Sequence, residues 1–385
     1  MEGPMRARVE EFDDLCRCID ECFPTETSLG GMAARWPHCL QRTPEHTGQY
    51  LVLKEGGRIV ACLSCVDETL VVEGGTLRSG GIGQVSTLNA YRGKGLMTQL
   101  LEAAIRRMEG EGYAISDLGG DRVRYGRFGW EPAGRWWNFT VTPRSAREHM
   151  RPTGYEVRRV TPSEAEMAAI LRMHDAEPRR MARGEQKNRD LLNRLGKEVW
   201  VVYAGGEVAG YGVTFRHATS PGIHEFGGSR EALHALAAEV VGGGEATWTL
   251  SSPWTNAANG LWTALASSWR VAPIHQVRIV DLYRTLKAFE FQMSERVRRI
   301  RDVRERRITI AIAETGQSVS VRVSADGVEV GHGGAAPADV TLPRRDAVRL
   351  LFGPGTPEAA GFGNVPRELA EALPLDWAMW HNEMV

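Results

Sequence analysis

The sequence has no apolar run approaching the roughly 20 residues needed to cross a bilayer, and its opening, residues 1–14, lacks the basic-then-apolar pattern of a secretory leader. Its ten histidines are scattered with no H-x-x-x-H pair, and no G-x-S-x-G elbow is present, so neither a helix-borne metal pair nor a serine-hydrolase nucleophile is signalled. Cysteine is sparse and confined: all six (Cys16, Cys18, Cys22, Cys39, Cys62, Cys65) fall in the first 65 residues. A disulfide scaffold would spread them along the chain, and a zinc site would pair them as C-x-x-C knuckles. Cys16, Cys18 and Cys22 instead sit in a helical pattern as small apolar side chains. A reduced, cytoplasmic chain is the expectation. Net charge is −1, so no global field recruits nucleic acid or an anionic membrane.

What is present is a 385-residue chain, 42% hydrophobic and 25% charged, longer than one hydrophobic core organises. Residues 1–150 alternate strand and helix signals. Residues 49–66 read as two strands around Gly56-Gly57, residues 80–88 as a strand entered through glycines, and residues 96–110 as a helix stopped by Gly110 or Gly112. Residues 151–290 repeat this texture. A helix is expected near 163–175 behind a Thr161/Glu164 capping box, a strand-turn-strand at 198–215 matches 49–66 about 150 residues later, and a helix follows at 229–241. Residues 291–385 open with an arginine-rich stretch. Alternating strands then turn at Thr315-Gly316 and Asp326-Gly327, and a helix at 346–353 completes an α+β module. The end, residues 373–385, is unusually apolar, which predicts a packed rather than frayed tail.

The chemistry concentrates in residues 85–97. A strand ending near Thr87, a turn Arg92-Gly93-Lys94-Gly95 and a helix opening at Leu96 offer unpaired backbone N–H groups at the positive end of a helix dipole. Glycines let that backbone approach a phosphate closely, and Arg92 and Lys94 add charge, so a phosphate or pyrophosphate ligand is expected. Downstream, Tyr125-Gly-Arg-Phe-Gly129 places a phenol, protonated at neutral pH, where a leaving group could take its proton. The run Ser294–Arg307 holds seven arginines, but Glu295, Asp302 and Glu305 interrupt it and Val297, Ile300 and Val303 recur at helical spacing. It reads as a solvated helix face rather than a nucleic-acid patch.

The R-x-x-G turn resembles motif A of the Gcn5-related N-acetyltransferases (GNAT), although Met97 stands where that family usually has Gly or Ala. Together with Tyr125–Gly129, Val277–Leu282 and Pro374–Val385, the whole chain resembles the Eis-like (enhanced intracellular survival) acetyltransferases. The resemblance implies an α/β plus α+β fold: two tandem acetyltransferase (GNAT) folds, residues 1–150 and 151–290, followed by a sterol-carrier-like α+β domain, residues 291–385. Only the first copy is expected to bind cofactor, since Phe226–Ser229 replaces the R-x-x-G turn in the second.

The implied reaction moves acetyl from acetyl-CoA to a primary amine of a small cationic acceptor, an aminoglycoside-like compound or polyamine, or to a lysine. The implied cofactor site is Val85, Thr87, Arg92, Gly93, Lys94, Gly95 and Leu96, without a metal. Tyr125 is the implied acid, and the α-carboxylate of Val385 the implied base. A carboxyl with a pKa near 3.5 is a weak base for an ammonium near 10, so desolvation, a water, or positioning of the amine must assist. Position, not motif, suggests Phe23, Glu26 and Trp36 for the acceptor, with Glu383 close to the terminus. The resemblance also implies homo-oligomers, hexamers among them, with no nucleic-acid or membrane partner. The rival reading is a non-catalytic protein holding an apolar ligand in its third domain.

Overall fold

The computed structural model describes residues 1–24, 30–149, 154–215, 221–334 and 336–385. Three sheets organise them. The first contains β1 (Glu2–Arg6), β2 (Tyr50–Glu55), β3 (Arg58–Val72), β4 (Gly75–Thr87), β5 (Ile115–Leu118) and β6 (Glu131–Ala133). The second contains β7 (Trp136–Val141), β8 (Glu156–Val160), β10 (Lys197–Ala204), β11 (Glu207–Phe215), β12 (Gly222–Gly228), β13 (Trp248–Pro253) and β14 (Ser268–Ala272), while the short β9 (Arg180–Met181) pairs with β3. β15 (His275–Ile279) returns to the first sheet. β16 (Arg306–Ile312), β17 (Ser318–Ser324), β18 (Gly327–His332) and β19 (Val340–Leu342) make the third.

The repeat read from the sequence is a repeat of topology. The first sheet runs β1-β2-β3-β4-β5-β15-β6, and the second β8-β10-β11-β12-β13-β7-β14. In each, four strands pair antiparallel, the fourth and fifth pair parallel, and the next two are again antiparallel. The units exchange their final strands. β7 pairs with β13 and β14 of the second sheet, whereas β15 lies between β5 and β6 of the first. Backbone hydrogen bonds of β7 and β15 therefore tie residues 1–150 to residues 151–290, and these two units interlock.

Local signals explain most elements. The hairpins β2/β3 and β10/β11 turn at Gly56-Gly57 and Gly205-Gly206, and the helix Leu96–Gly110 ends at the expected glycine. The capping box lies two residues beyond Thr161. Ser163 caps the helix Glu164–Asp175 and exchanges hydrogen bonds with Glu166, because Pro162 still holds the chain extended ahead of it. The arginine-rich segment is not one helix: the helix Glu290–Val297 stops there and β16 begins at Arg306. No helix among the described residues is long and apolar enough to cross a membrane.

One apolar core joins the first and third sheets. Leu70, Leu77 and Ile115 pack with Val277 and Ile279 of β15, with Ile308, Ile310 and Val321 of the third sheet, and with Leu350 and Leu351 of the helix Arg344–Phe352. The C-terminal segment runs over all of this. Asp376 is ion-paired to Arg135 and Arg296, the Trp136 indole donates to the Met379 carbonyl, and Trp380 inserts into the second core edge-on to Phe226.

Candidate active site

The site grows from a gap between β4 and β5. These strands pair in parallel only from Ser79 to Ile82, against Ile115 to Leu118. Past that point β5 turns away at Gly119-Gly120, and β4 shifts register against β3. Gln84 sits at the shift with φ +43°, a left-handed conformation that a non-glycine residue keeps only when its surroundings impose it. Here Tyr50 Oη and Ser64 Oγ both donate to Gln84 Oε1, at 3.0 and 2.8 Å. β4 from Gly83 to Thr87 thus has no partner in β5, leaving an exposed edge for an extended ligand.

Beyond Thr87 lies the basic turn. Gly93 and Gly95 have φ of +78° and +75°, a region that costs other residues about 1–2 kcal/mol. Gly95 caps the helix Leu96–Gly110 with no side-chain hydrogen bond, so the first-turn N–H groups are left for a ligand. The corresponding helix of the second unit, Arg230–Ala237, is closed by its own Ser229 hydroxyl, which accepts from Ala232 N at 3.1 Å. Val85, Thr87, Arg92, Gly93, Gly95 and Leu96 line a cavity of about 580 Å³, with Met97, Arg124 and Arg127 on its walls. Arg92 Nε donates to the Thr87 carbonyl at 3.3 Å, and the Lys94 ammonium lies 4.7 Å over the Tyr91 ring, on the same loop but outside that lining. Residue types, open N–H groups and volume fit a pyrophosphate with an extended arm.

A second cavity, about 320 Å³, adjoins the first and shares Phe23, Val85 and Arg124 with it. Tyr125, Val385, Phe23 and Trp36 line it. Glu26 lies outside the described residues. Tyr125 belongs to the helix Arg122–Gly126, capped by Asp121, whose carboxylate accepts from Arg124 N at 2.7 Å. The Tyr125 ring packs on Gly120 and is 7% exposed. Burial pushes its phenol up while Arg124 offsets part of the rise, so the proton stays available.

The chain end reaches this cavity. A Cβ on Gly83 would lie 2.7 Å from the carboxyl carbon of Val385, and one on Gly81 would lie 2.7 Å from Val385 Cγ2. Bare glycine is what admits the tail, and the Gly80-Gly81-Ile82-Gly83 run was the signal for it that the sequence reading passed over. His38 Nε2 lies 3.2 Å from the Met384 carbonyl oxygen, and burial with nearby Arg194 holds His38 well below its usual range. Beneath the tail, Glu68 is 2% exposed and neither carboxylate oxygen has a hydrogen-bond partner. Burial raises Glu68, Lys187 at 3.6 Å opposes, and Asp117 adds to the rise.

Glu383 does not face the acceptor cavity. It is fully buried, accepting from Arg183 at 2.7 Å and from the Trp380 backbone, with His174 Nε2 at 3.1 Å. Arg183 also pairs with Glu225 at 3.0 Å. Burial alone would raise Glu383, but Arg183 and His174 outweigh it and hold it low. Its work is to fasten the tail. All six cysteines are free thiols; Cys22 borders the larger cavity, and Cys18, Cys39, Cys62 and Cys65 are buried. A further cavity beside the third sheet, about 510 Å³, is lined by Lys287, Glu290, Arg298, Arg322 and Glu329, groups unsuited to an apolar ligand.

Residues 5–133 match the family described as Acetyltransferase (GNAT) domain. No curated protein matches the chain. Among solved structures, the chain resembles a probable N-acyltransferase of unknown function from Enterococcus faecalis V583, with TM-score 0.73, 18% identity and coverage of 97% of this chain and 96% of that one. A GCN5-related N-acetyltransferase from Kribbella flavida gives TM-score 0.70, 19% identity and coverage of 97% and 96%. Eis1 from Mycobacterium abscessus gives TM-score 0.64, 16% identity and coverage of 96% and 94%. At these identities the likeness establishes a fold shared over nearly the whole chain. Residues 5–133 carry a GNAT acetyltransferase domain, which supports acetyl transfer as its chemistry.

Proposed function

We propose that the chain is an Eis-like enzyme that acetylates the primary amine of a small acceptor from acetyl-CoA, within a three-part body divided near residues 150 and 290. The third part is read as a sterol-carrier-like module whose tail completes the site, in a cytoplasmic homo-oligomer. One observation carries the reading: Tyr125 and Val385 line a single cavity that shares Phe23, Val85 and Arg124 with the pocket walled by Arg92, Gly93, Gly95 and Leu96.

Acetyl-CoA supplies the activated acetyl group. The N–H groups at the start of the helix Leu96–Gly110, with Arg92, hold the pyrophosphate, and the free edge of β4 at Val85 and Thr87 aligns the extended arm toward Tyr125. The Val385 carboxylate orients the incoming ammonium and receives its proton. As the C–N bond forms and the C–S bond breaks, Tyr125 donates its proton to the departing sulfur. The phenol and the carboxylate then exchange protons with solvent to reset. The half-buried Val385 carboxylate, with its low intrinsic pKa, is helped as base when the bound acceptor displaces water from the cavity it lines.

The test is CoA release from acetyl-CoA with a panel of amines, comparing wild type and Tyr125→Phe. Release that depends on amine and falls by about 10²-fold or more in the variant, with CoA affinity unchanged, is the expected result. Undiminished turnover in Tyr125→Phe removes the acid role, and no CoA binding at all removes the enzyme reading.

A further inference from the structure

The acceptor cavity has a chemical character of its own. Phe23, Met32, Trp36 and Ile82 give it an aromatic and aliphatic wall, and Tyr125 and Val385 close the reacting end. Its volume of about 320 Å³ is at the low end of the roughly 300–1,000 Å³ typical of ligand pockets. Among the described residues, the charged groups lining it are the Val385 carboxylate, Asp121 and Arg124. Asp121 is already engaged as the helix cap, and Arg124 repels cations. His38, behind the tail, is held neutral by burial.

One carboxylate flanked by aromatic faces holds one ammonium well, through ion pairing and cation–π attraction. Further ammonium groups on the same ligand would enter an apolar cavity facing Arg124, and a buried charge without a partner is costly. We infer that the acceptor is a compact primary amine that carries its cationic head on an apolar or aromatic body. The inference rests on the amine-acetylation reading of this cavity and narrows it.

The experiment compares initial rates of CoA release, at fixed acetyl-CoA, for a phenylalkylamine, a straight-chain alkylamine of equal length, spermidine and a three-ring aminoglycoside. The expected kcat/KM for the phenylalkylamine is at least tenfold above both polycations. Trp36→Ala and Phe23→Ala should each lower that ratio, a comparison at fixed acetyl-CoA in which any effect of Phe23 on the larger cavity it also borders is common to all the amines, and Trp36→Phe, which keeps an aromatic face, should restore most of it. Because Trp36 also packs under the Arg194 guanidinium at 4.1 Å, Phe23→Ala reports independently should Trp36→Ala misfold. Equal or better use of the polycations, or loss of rate that is uniform across all four amines in the Phe23 variant, overturns the inference while leaving acetyl transfer standing. No release with any amine, with CoA bound, overturns the underlying reading as well.

Discussion

Gly83→Ala presses on the tail while leaving the larger cavity untouched. The new methyl would stand 2.7 Å from the Val385 carboxyl carbon and 2.9 Å from Ser64 Oγ, whereas ordinary contact begins near 3.4 Å, so the tail must retreat by about 0.7 Å. The backbone at Gly83 is not left-handed, hence alanine adds no conformational strain of its own. Gly83 does not line the larger cavity, so the pyrophosphate grip is untouched. Misplacing a reacting group by about 1 Å can cost on the order of 10²-fold, and overpacking costs about 1–3 kcal/mol. The expectation is a 10- to 100-fold fall in kcat, a CoA Kd within about twofold of wild type, and a drop in Tm of a few degrees. Stopped-time CoA release, equilibrium CoA binding and thermal melts read the three quantities. Gly110→Ala, where a Cβ meets nothing within 4 Å, is the control and should match wild type. A folded Gly83→Ala protein with full kcat would refute the placing of the terminal carboxylate in the chemistry.

At the other end of the site, Gly95→Ala puts an L residue at φ +75° and should weaken CoA binding about tenfold, at roughly 1–2 kcal/mol of strain, with kcat kept; unchanged affinity by calorimetry would show that the turn does not grip the ligand. Asp117, fully buried, is pushed up to about 6 by burial, against which the Ser79 hydroxyl, its donor at 2.5 Å, pulls down. From its ordinary value of 3.8 up to about 6 the folded protein therefore holds the extra proton. Stability from this group is largest below that window, falls as pH rises through it, and at pH 7 is a net cost on the order of 3 kcal/mol. Asp117→Asn should accordingly melt higher at pH 7.5 and show little gain at pH 4; a lower Tm at pH 7.5 would contradict the assignment. Arg183→Met leaves Glu383 and Glu225 buried without their shared cation, and urea unfolding should show a loss of about 3–5 kcal/mol together with lost turnover. Retained activity there would free the tail from this anchor.

The parts of the fold legible in the sequence were those written in neighbouring residues. Gly56-Gly57 and Gly205-Gly206 announce hairpins because two-residue turns demand such residues, and the turn at 92–95 announces a phosphate because glycines and cations stand next to a helix start. The exchange of β7 and β15 was not legible. Alternating apolar residues at 136–141 and 275–279 specify a strand with one apolar face, and either sheet satisfies that pattern equally. The tail shows the same division. Its apolar composition says that it packs, but Glu383 is fixed by Arg183, 200 residues earlier, and nothing near the terminus marks that partner. Glu383 thus resembled a carboxylate for the acceptor until burial and partners were known. The Ser294–Arg307 run misled for the converse reason: helical spacing persisted past Val297, yet the strand pairing of β16 with β17 and β19 took the chain from Arg306 onward.

These long-range ties give the second unit a part in the site of the first. Its cofactor turn is closed by Ser229, while the face of β12 carries Glu225, which accepts from Tyr211 at 2.7 Å and from Asn382 at 3.1 Å and pairs with Arg183. The second core takes in Trp380, and Arg194 donates to the Asn382 carbonyl. The last six residues therefore hang from the second unit and end in the first. The exchanged strands set the distance between these two supports, since β15 carries backbone from the second unit into the heart of the first sheet and β7 does the reverse. A carboxylate at the end of a chain has the least backbone holding it of any residue, and frayed ends move by ångströms. In the proposed mechanism that carboxylate needs supports that cannot drift relative to β4, and the interlocked sheets on both sides of the tail supply them.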